Sequence, residues 1–408
     1  MKRVVVLATA AAVSLSFAPA VSAAADPPAA SSVLVEQRAK PKPRPKPPSL
    51  KAMTRNIYLG VDVTRPLAAA AGATDPLEAL LAVAHEANAM EDTLEQTNFR
   101  VRSRLLAREI ARTKPDLVGL QEVAKWRSGP ADLLPPNVGV PNATKVDADY
   151  LKMLLQALRK AGEPYRVVAR QQEADVEVPS FLGNPFDPEN PTLTDAHDVR
   201  VTIYDVVLRR KDSKVKVLRS GGGHYAHQLE LNLAGVPLSF ARGFAWVNAR
   251  LQGHRFRFVT THLEAFSSAL ALAQARELLK GPGGYRGHTV MVGDYNSDPL
   301  NGSTDMSGVP HKAPYDAVVA GGFRDEWLKW KPAAKGWTSG LSETVDDTSA
   351  AGFDHRLDFI FGRTARGKAF KVLNGRVTGN RLADRDRKTG LWPSDHAGVV
   401  LKLRVPRR

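Results

Sequence analysis

Strand-like runs that follow one another with no helix between them set the strongest limit on how this chain can fold. Alternating apolar segments at residues 201–208 and 215–218 adjoin, as do those at 244–251 and 255–261. A doubly wound parallel sheet needs a long crossover between consecutive strands, so this order points instead to packed sheets with helices outside. Further strands are expected at 50–58, 116–121, 165–170, 288–293, 357–361 and 397–403. Helical spacing of apolar residues appears at 76–89, 98–112, 147–160 and 267–280. Residues 171–195, rich in Pro, Asn and Asp, read as loop, and the stretches 171–200 and 300–355 are expected to be loops that shape substrate access. No boundary breaks residues 51–408, which are assigned to one domain.

The N-terminus reads as an address. Lys2 and Arg3 precede a largely apolar stretch to Ala20, and Val21-Ser22-Ala23 ends in small residues, the pattern of a signal peptide over 1–23. Ser14, Ser16 and Pro19, and a length short of the ~20 residues of a membrane span, count against an anchor. Residues 24–50, with Lys40-Pro-Lys-Pro-Arg-Pro-Lys-Pro-Pro48, form a Pro/Lys-rich linker. Export to the extracellular space is the expectation.

The 408 residues contain no cysteine, which excludes disulfides, zinc–thiolate sites and cysteine nucleophiles. A metal would be held by oxygen and imidazole, the ligands that suit Mg²⁺, Mn²⁺ or Ca²⁺. Fifty-seven Lys and Arg against 42 Asp and Glu give a formal charge of +15. An anionic partner is favoured, with nucleic acid first, and phosphoinositide, anionic membrane or a cell-wall phosphate polymer also compatible.

Four segments carry reactive side chains at strand ends. In Val290-Met-Val-Gly-Asp-Tyr-Asn-Ser-Asp-Pro299, Asp294 and Asn296 stand two apart, which in extended chain turns a carboxylate and an amide to one side. An aspartate there can activate water and an amide can bind a phosphate oxygen, although the same residues suit an Asx turn. Trp392-Pro-Ser-Asp-His-Ala397 places Asp395 and His396 before a C-terminal strand, projecting to different sides. Leu117-Val-Gly-Leu-Gln-Glu-Val123 ends in Glu122, a sensible hard-metal ligand, and Phe256-Arg-Phe-Val-Thr-Thr-His262 ends in an imidazole able to stabilise an oxyanion. Asp358, in His355-Arg-Leu-Asp-Phe-Ile360, is placed to orient a histidine.

Taken in order, Asn56, Leu-Gln-Glu122, Thr-His262, Gly-Asp294-x-Asn296, Arg-x-Asp358 and Ser-Asp395-His396 resemble the endonuclease/exonuclease/phosphatase superfamily, which holds deoxyribonucleases, apurinic endonucleases, sphingomyelinases and inositol-polyphosphate 5-phosphatases. The resemblance runs over residues 51–403. It implies an α+β fold, a four-layer α/β/β/α sandwich of two mostly antiparallel sheets flanked by helices, with the site at one edge. It also implies metal-dependent hydrolysis of phosphate esters. Asn56, Glu122 and Asp395 would then hold Mg²⁺ (or Mn²⁺ or Ca²⁺), and Asp294 would activate water. Asn296 and His262 would hold phosphate oxygens, and Asp358 would fix His396. A phosphodiesterase acting on extracellular nucleic acid is the first expectation; a sphingomyelinase-like lipid phosphodiesterase, an inositol-phosphate phosphatase or a non-catalytic anion-binding domain are the alternatives. About 40 residues of helical sequence before Asn98 depart from the family pattern. Arg200 and Tyr204 are candidates for a further family Tyr or Arg. His224 and His227 are expected at the surface, and Trp327, Trp330 and Trp337 in core or rim packing.

Overall fold

In the computed structural model the described residues are 46–133, 137, 140–233 and 236–407. The expected signal peptide and most of the linker lie outside them. Strand β1 (Ser49–Asn56) already takes in the last two residues assigned to the linker.

Two sheets carry the fold. In chain order the elements are β1, α1 (Arg65–Ala70), α2 (Pro76–Thr97), α3 (Phe99–Thr113), β2 (Leu117–Gly129), β3 (Lys145–Asp149), α4 (Tyr150–Lys160), β4 (Tyr165–Leu182), β5 (Thr194–Arg210) and β6 (Val215–His224). There follow β7 (Leu229–Leu233), β8 (Val236–Phe240), β9 (Gly243–Leu251), β10 (His254–His262), α5 (Ser268–Lys280) and β11 (His288–Asp294). The last are α6 (Ala313–Ala320), β12 (Arg324–Asp325), α7 (Glu326–Trp330), β13 (Asp358–Arg363), β14 (Lys371–Thr378) and β15 (Gly398–Arg404). The first sheet runs β14-β15-β1-β2-β5-β4 with β3 beside β2, the second runs β12-β13-β11-β10-β9-β6, and β7 and β8 form a separate hairpin.

Each large sheet contains one parallel pair, β1 with β2 and β10 with β11, flanked by antiparallel neighbours. A helical crossover links each parallel pair, so both pairs deliver two strand C-termini to one edge. Period-two alternation sorts the side chains. Leu50 and Ala52 of β1, Leu117 of β2, Phe256 and Phe258 of β10, and Val290 and Val292 of β11 face inward and form the inter-sheet core. Their neighbours Met53, Val118 and Leu120 point outward onto α3 and α4, and Val259 and Met291 onto α5 and α6. The layers are therefore helix, sheet, sheet, helix, as expected.

The helices begin where their caps dictate. Asp75 accepts from the N–H groups of Leu77 and Glu78, Asn98 from Val101, Asp149 from Lys152 and Ser267 from Leu270. At Gly119 the sheets leave no room for a side chain: a Cβ would stand 2.4 Å from Val292 Cγ2 and 2.7 Å from Thr260 Oγ1.

Two expectations are corrected. Residues 171–195 are not mainly loop: β4 continues to Leu182 and β5 starts at Thr194. Polar residues there suit a ribbon whose cross-strand partners are also polar, since Asp175 takes Arg200 Nε at 2.8 Å and Thr202 Oγ1 at 2.8 Å. The stretch 300–355 likewise contains α6, β12 and α7, too short for periodicity to reveal.

Candidate active site

The site lies at the edge where the parallel pairs end, and strand register assembles it. In the second sheet His262 pairs with Asp294 and Asp294 with Asp358, so three reactive side chains stand abreast on β10, β11 and β13. In the first sheet Asn56 pairs with Gln121, and Glu122 follows in a bulge of β2 against β5 with φ +58. The bulge turns the Glu122 side chain toward the cleft, a common use of bulges beside active sites.

Hydrogen bonds cross from sheet to sheet. Asn56 Nδ2 donates to Glu122 Oε1 at 2.7 Å and to Asp294 Oδ2 at 3.1 Å. The Asn56 Oδ1 accepts from Tyr58 N, and Leu59 N donates to Glu122 Oε2. His396 Nδ1 lies 2.7 Å from Asp358 Oδ2 and 3.6 Å from Asp294 Oδ2, while its Nε2 is 3.4 Å from Ser339 Oγ. Below these, Gln121 Nε2 donates to Thr260 Oγ1 and Thr54 Oγ1 to Gln121 Oε1, a buried polar seam joining the sheets.

Asn296 reaches the site differently from the extended geometry expected. It lies beyond the strand with φ +44, and its N–H donates to Asp294 Oδ1 at 2.9 Å. An Asx turn, not a shared strand face, therefore brings its Nδ2 to Leu263 O at 2.9 Å and His262 Nε2 at 3.0 Å. Asp395 and His396 both line the cleft.

Electrostatics separates the two histidines. Burial opposes a charge on His396, but the carboxylates of Asp358, Asp294 and Asp395 override it and hold the imidazole well above its ordinary value, as a cation. Burial, the Arg242 guanidinium and His396 push His262 well below its ordinary value, so it is neutral. Arg242 Nη1 sits 2.9 Å from His262 Nδ1. The guanidinium donates toward Nδ1 and the Asn296 Nδ2 stands 3.0 Å from Nε2, so donors flank both ring nitrogens, and Nε2 faces Asp294 at 3.7 Å. Burial pushes the Asp294 carboxyl up to about 7; the His396 cation opposes this, and Asp358 adds to it. Burial and the charge of Asp395 raise Glu122 as well.

Glu122, Arg242, His262, Asp294, Asn296, Asp395 and His396 line a cleft of about 280 Å³. Among the described residues, Glu122, His262 and Asp294 present ligand atoms within 4.8 Å of one another, and so do Asp294, Asp358 and His396. Asp395 belongs to neither set but stands on the same cleft wall as Glu122. Carboxylates crowded in a buried cleft fit a hard divalent cation, which would relieve their repulsion. Glu122 and Asp395 are the residues that would hold it, while Asn56 turns its Nδ2 to Glu122 and Asp294 and its Oδ1 to Tyr58 N.

Several contributors escaped the sequence reading. Arg242, just before β9, backs His262. Arg55 donates to His396 O at 2.5 Å and to Asn56 O at 3.0 Å while paired with buried Glu109. Arg102 on α3 donates to Thr97, Ile57 and Tyr58 carbonyls and fixes the loop after Asn56. A charged residue inside a buried apolar run was the available signal. Arg200 and Tyr204 are not in the cleft lining: Arg200 pairs with Asp175, and Tyr204 lies under Arg170. His224 and His227 are exposed, and Trp327 packs in the inter-sheet core.

A four-layer sandwich with Asp–His, Asp-x-Asn and Glu gathered at one edge defines a metal-dependent phosphoesterase. The sequence profile of the Endonuclease/Exonuclease/phosphatase family matches residues 94–396, and the chain belongs to that family. No curated protein matches the sequence. Similar solved structures include an endonuclease/exonuclease/phosphatase family protein from Leptotrichia buccalis, 18% identical, covering 87% of this chain and 99% of that one at TM-score 0.47. The mannosyl-6-phosphatase of Bacteroides thetaiotaomicron is 15% identical, covering 87% and 99% at TM-score 0.47. D. rerio TDP2 in complex with a single-strand DNA product is 15% identical, covering 87% and 98% at TM-score 0.46.

Proposed function

We propose that the chain is an exported, Mg²⁺-dependent phosphodiesterase that works by in-line attack of water. The observation that carries this reading is the pairing of a cationic His396 with a neutral His262 across a near-neutral Asp294. Asp294 accepts the proton of the attacking water, for which a carboxyl near the working pH is suited. The His262 imidazole and the Asn296 amide hold the non-bridging oxygens. His396, oriented by Asp358, faces the developing negative charge and can pass its proton to the departing oxygen. A bound divalent cation supplies the further positive charge that phosphoryl transfer requires.

The formal charge of +15 supports nucleic acid as the substrate, in which case binding weakens steeply with salt. The apolar wall of the cleft favours a second reading, a phosphodiester of a lipid or another apolar alcohol. Export is supported by the N-terminal segment. Hydrolysis of bis-p-nitrophenyl phosphate tests the chemistry: turnover is expected with Mg²⁺, none with EDTA, and a loss of roughly 10²–10⁴-fold in kcat for His396→Ala. Full turnover by that variant, or in EDTA, refutes the assignment.

A further inference from the structure

The cleft is lined by groups of opposite character. His262, Asn296 and His396 bring hydrogen-bond donors to Asp294; the rest of the lining mixes carboxylates with apolar side chains, Phe266 and Leu341 among them. Phe266 is 50% exposed, a large aromatic left open at the mouth. Its loop is pre-set, because Glu264 Oε1 accepts from the N–H groups of Ala265 and Phe266 and Gln274 Oε1 accepts from Glu264 N. Ordering that wall adds little cost when an apolar group settles on it.

The lip is acidic. Asp62 is exposed, and Glu343 Oε1 accepts from Asp62 N and from Arg65 Nη1, a guanidinium already shared with Glu86. Among the described residues lining the cleft, Arg242 is the only Lys or Arg; it is 9% exposed and engaged with His262. A polyanion site offers a cation to each neighbouring phosphate, and carboxylates within a Debye length of about 8 Å repel one. The positive charge of this chain is therefore not focused on the cleft.

We propose that the ester hydrolysed here carries a single phosphate, and that the group attached to it is uncharged and largely apolar, lying against Phe266 and Leu341. This rests on the phosphodiesterase reading. Water oxygen forms the new bond to phosphorus, the ester P–O bond breaks, and the departing alcohol oxygen takes the proton.

The full chain with Mg²⁺ would be assayed on methyl and hexyl p-nitrophenyl phosphate, and on thymidine 5′-p-nitrophenyl phosphate with and without a 3′-phosphate. The hexyl ester should exceed the methyl ester by about 10-fold in kcat/KM, the scale of hydrophobic-pocket discrimination. The 3′-phosphate should lower it by a similar factor. Phe266→Ala and Leu341→Ala should raise KM for the hexyl ester and leave the methyl ester unchanged, and Asp62→Asn should restore part of the loss caused by the 3′-phosphate. Phosphatidylcholine vesicles form a further arm: their hydrolysis assigns the apolar group to a lipid, and cleavage of soluble esters alone assigns it to a water-soluble alcohol.

Equal kcat/KM for hexyl and methyl esters, or preference for the 3′-phosphorylated substrate, overturns the proposal and leaves the phosphodiesterase reading standing. If no ester turns over, while calorimetry shows hexylphosphonate binding more tightly than methylphosphonate and losing that advantage in Phe266→Ala, the catalytic reading fails and the apolar subsite stands.

Discussion

Glu122, Asn296 and Tyr58 all hold left-handed backbone, at φ +58, +44 and +62, and all three contribute to the cleft wall. Such conformations cost on the order of 1–3 kcal/mol each outside glycine and persist where the surroundings over-determine them. Here Asx and backbone bonds to Asp294 and Asn56 do so. A residue outside the cleft contributes to the pH dependence of stability. Burial pushes Glu326 up to about 8; its Oε1 accepts from Phe370 N, but its Oε2 is buried with no partner. The folded state therefore binds a proton that the unfolded chain releases near the ordinary glutamate value, so stability falls as pH rises from about 4.5 to about 8. Glu326→Gln should flatten that slope and raise the melting temperature above pH 8; a slope identical to wild type would contradict the assignment. Residue identities at strand ends were readable from sequence because reactive groups stand out after apolar runs. The cross-strand partners, such as Arg242 behind His262, were not, since the approach of the segment leading into β9 to the end of β10 follows from register rather than spacing.

At the scale of elements, the paired parallel strands explain why two distant segments, Leu117–Glu122 and Val290–Asp294, behave alike: each is the second strand of a helix-linked parallel pair. Long amphipathic elements were legible. Helix α3 and strands β1, β10 and β11 fall within a few residues of expectation, because one buried face imposes a period. Strand β14, the β7–β8 hairpin and helices α6 and α7 were not, being short or polar on an edge. Gly119 is a testable element-level constraint. Adding a methyl there drives it against Val292 and Thr260, so Gly119→Ala should destabilise the fold by about 1–3 kcal/mol, read by urea unfolding. A neutral substitution would mean that the sheets can separate at no cost.

For the whole molecule, the carboxylates at the cleft make folding sensitive to divalent cations. Ions that bind only the folded chain should raise its melting temperature, by about 2.7 kcal/mol of stability at 100-fold excess over Kd, and EDTA should reverse this. No shift with Mg²⁺, Mn²⁺ or Ca²⁺ would rule out a metal centre built on Glu122 and Asp395. The hydrogen bonds that cross between sheets carry a further implication. Asn56, Glu122 and His396 ride on one sheet, and His262, Asp294 and Asp358 on the other. The proposed catalytic apparatus is thus split like the two jaws of a vernier, and turnover is expected to read their alignment. A core substitution far from the cleft that slides one sheet by a fraction of an ångström would dim activity while leaving every catalytic residue in place.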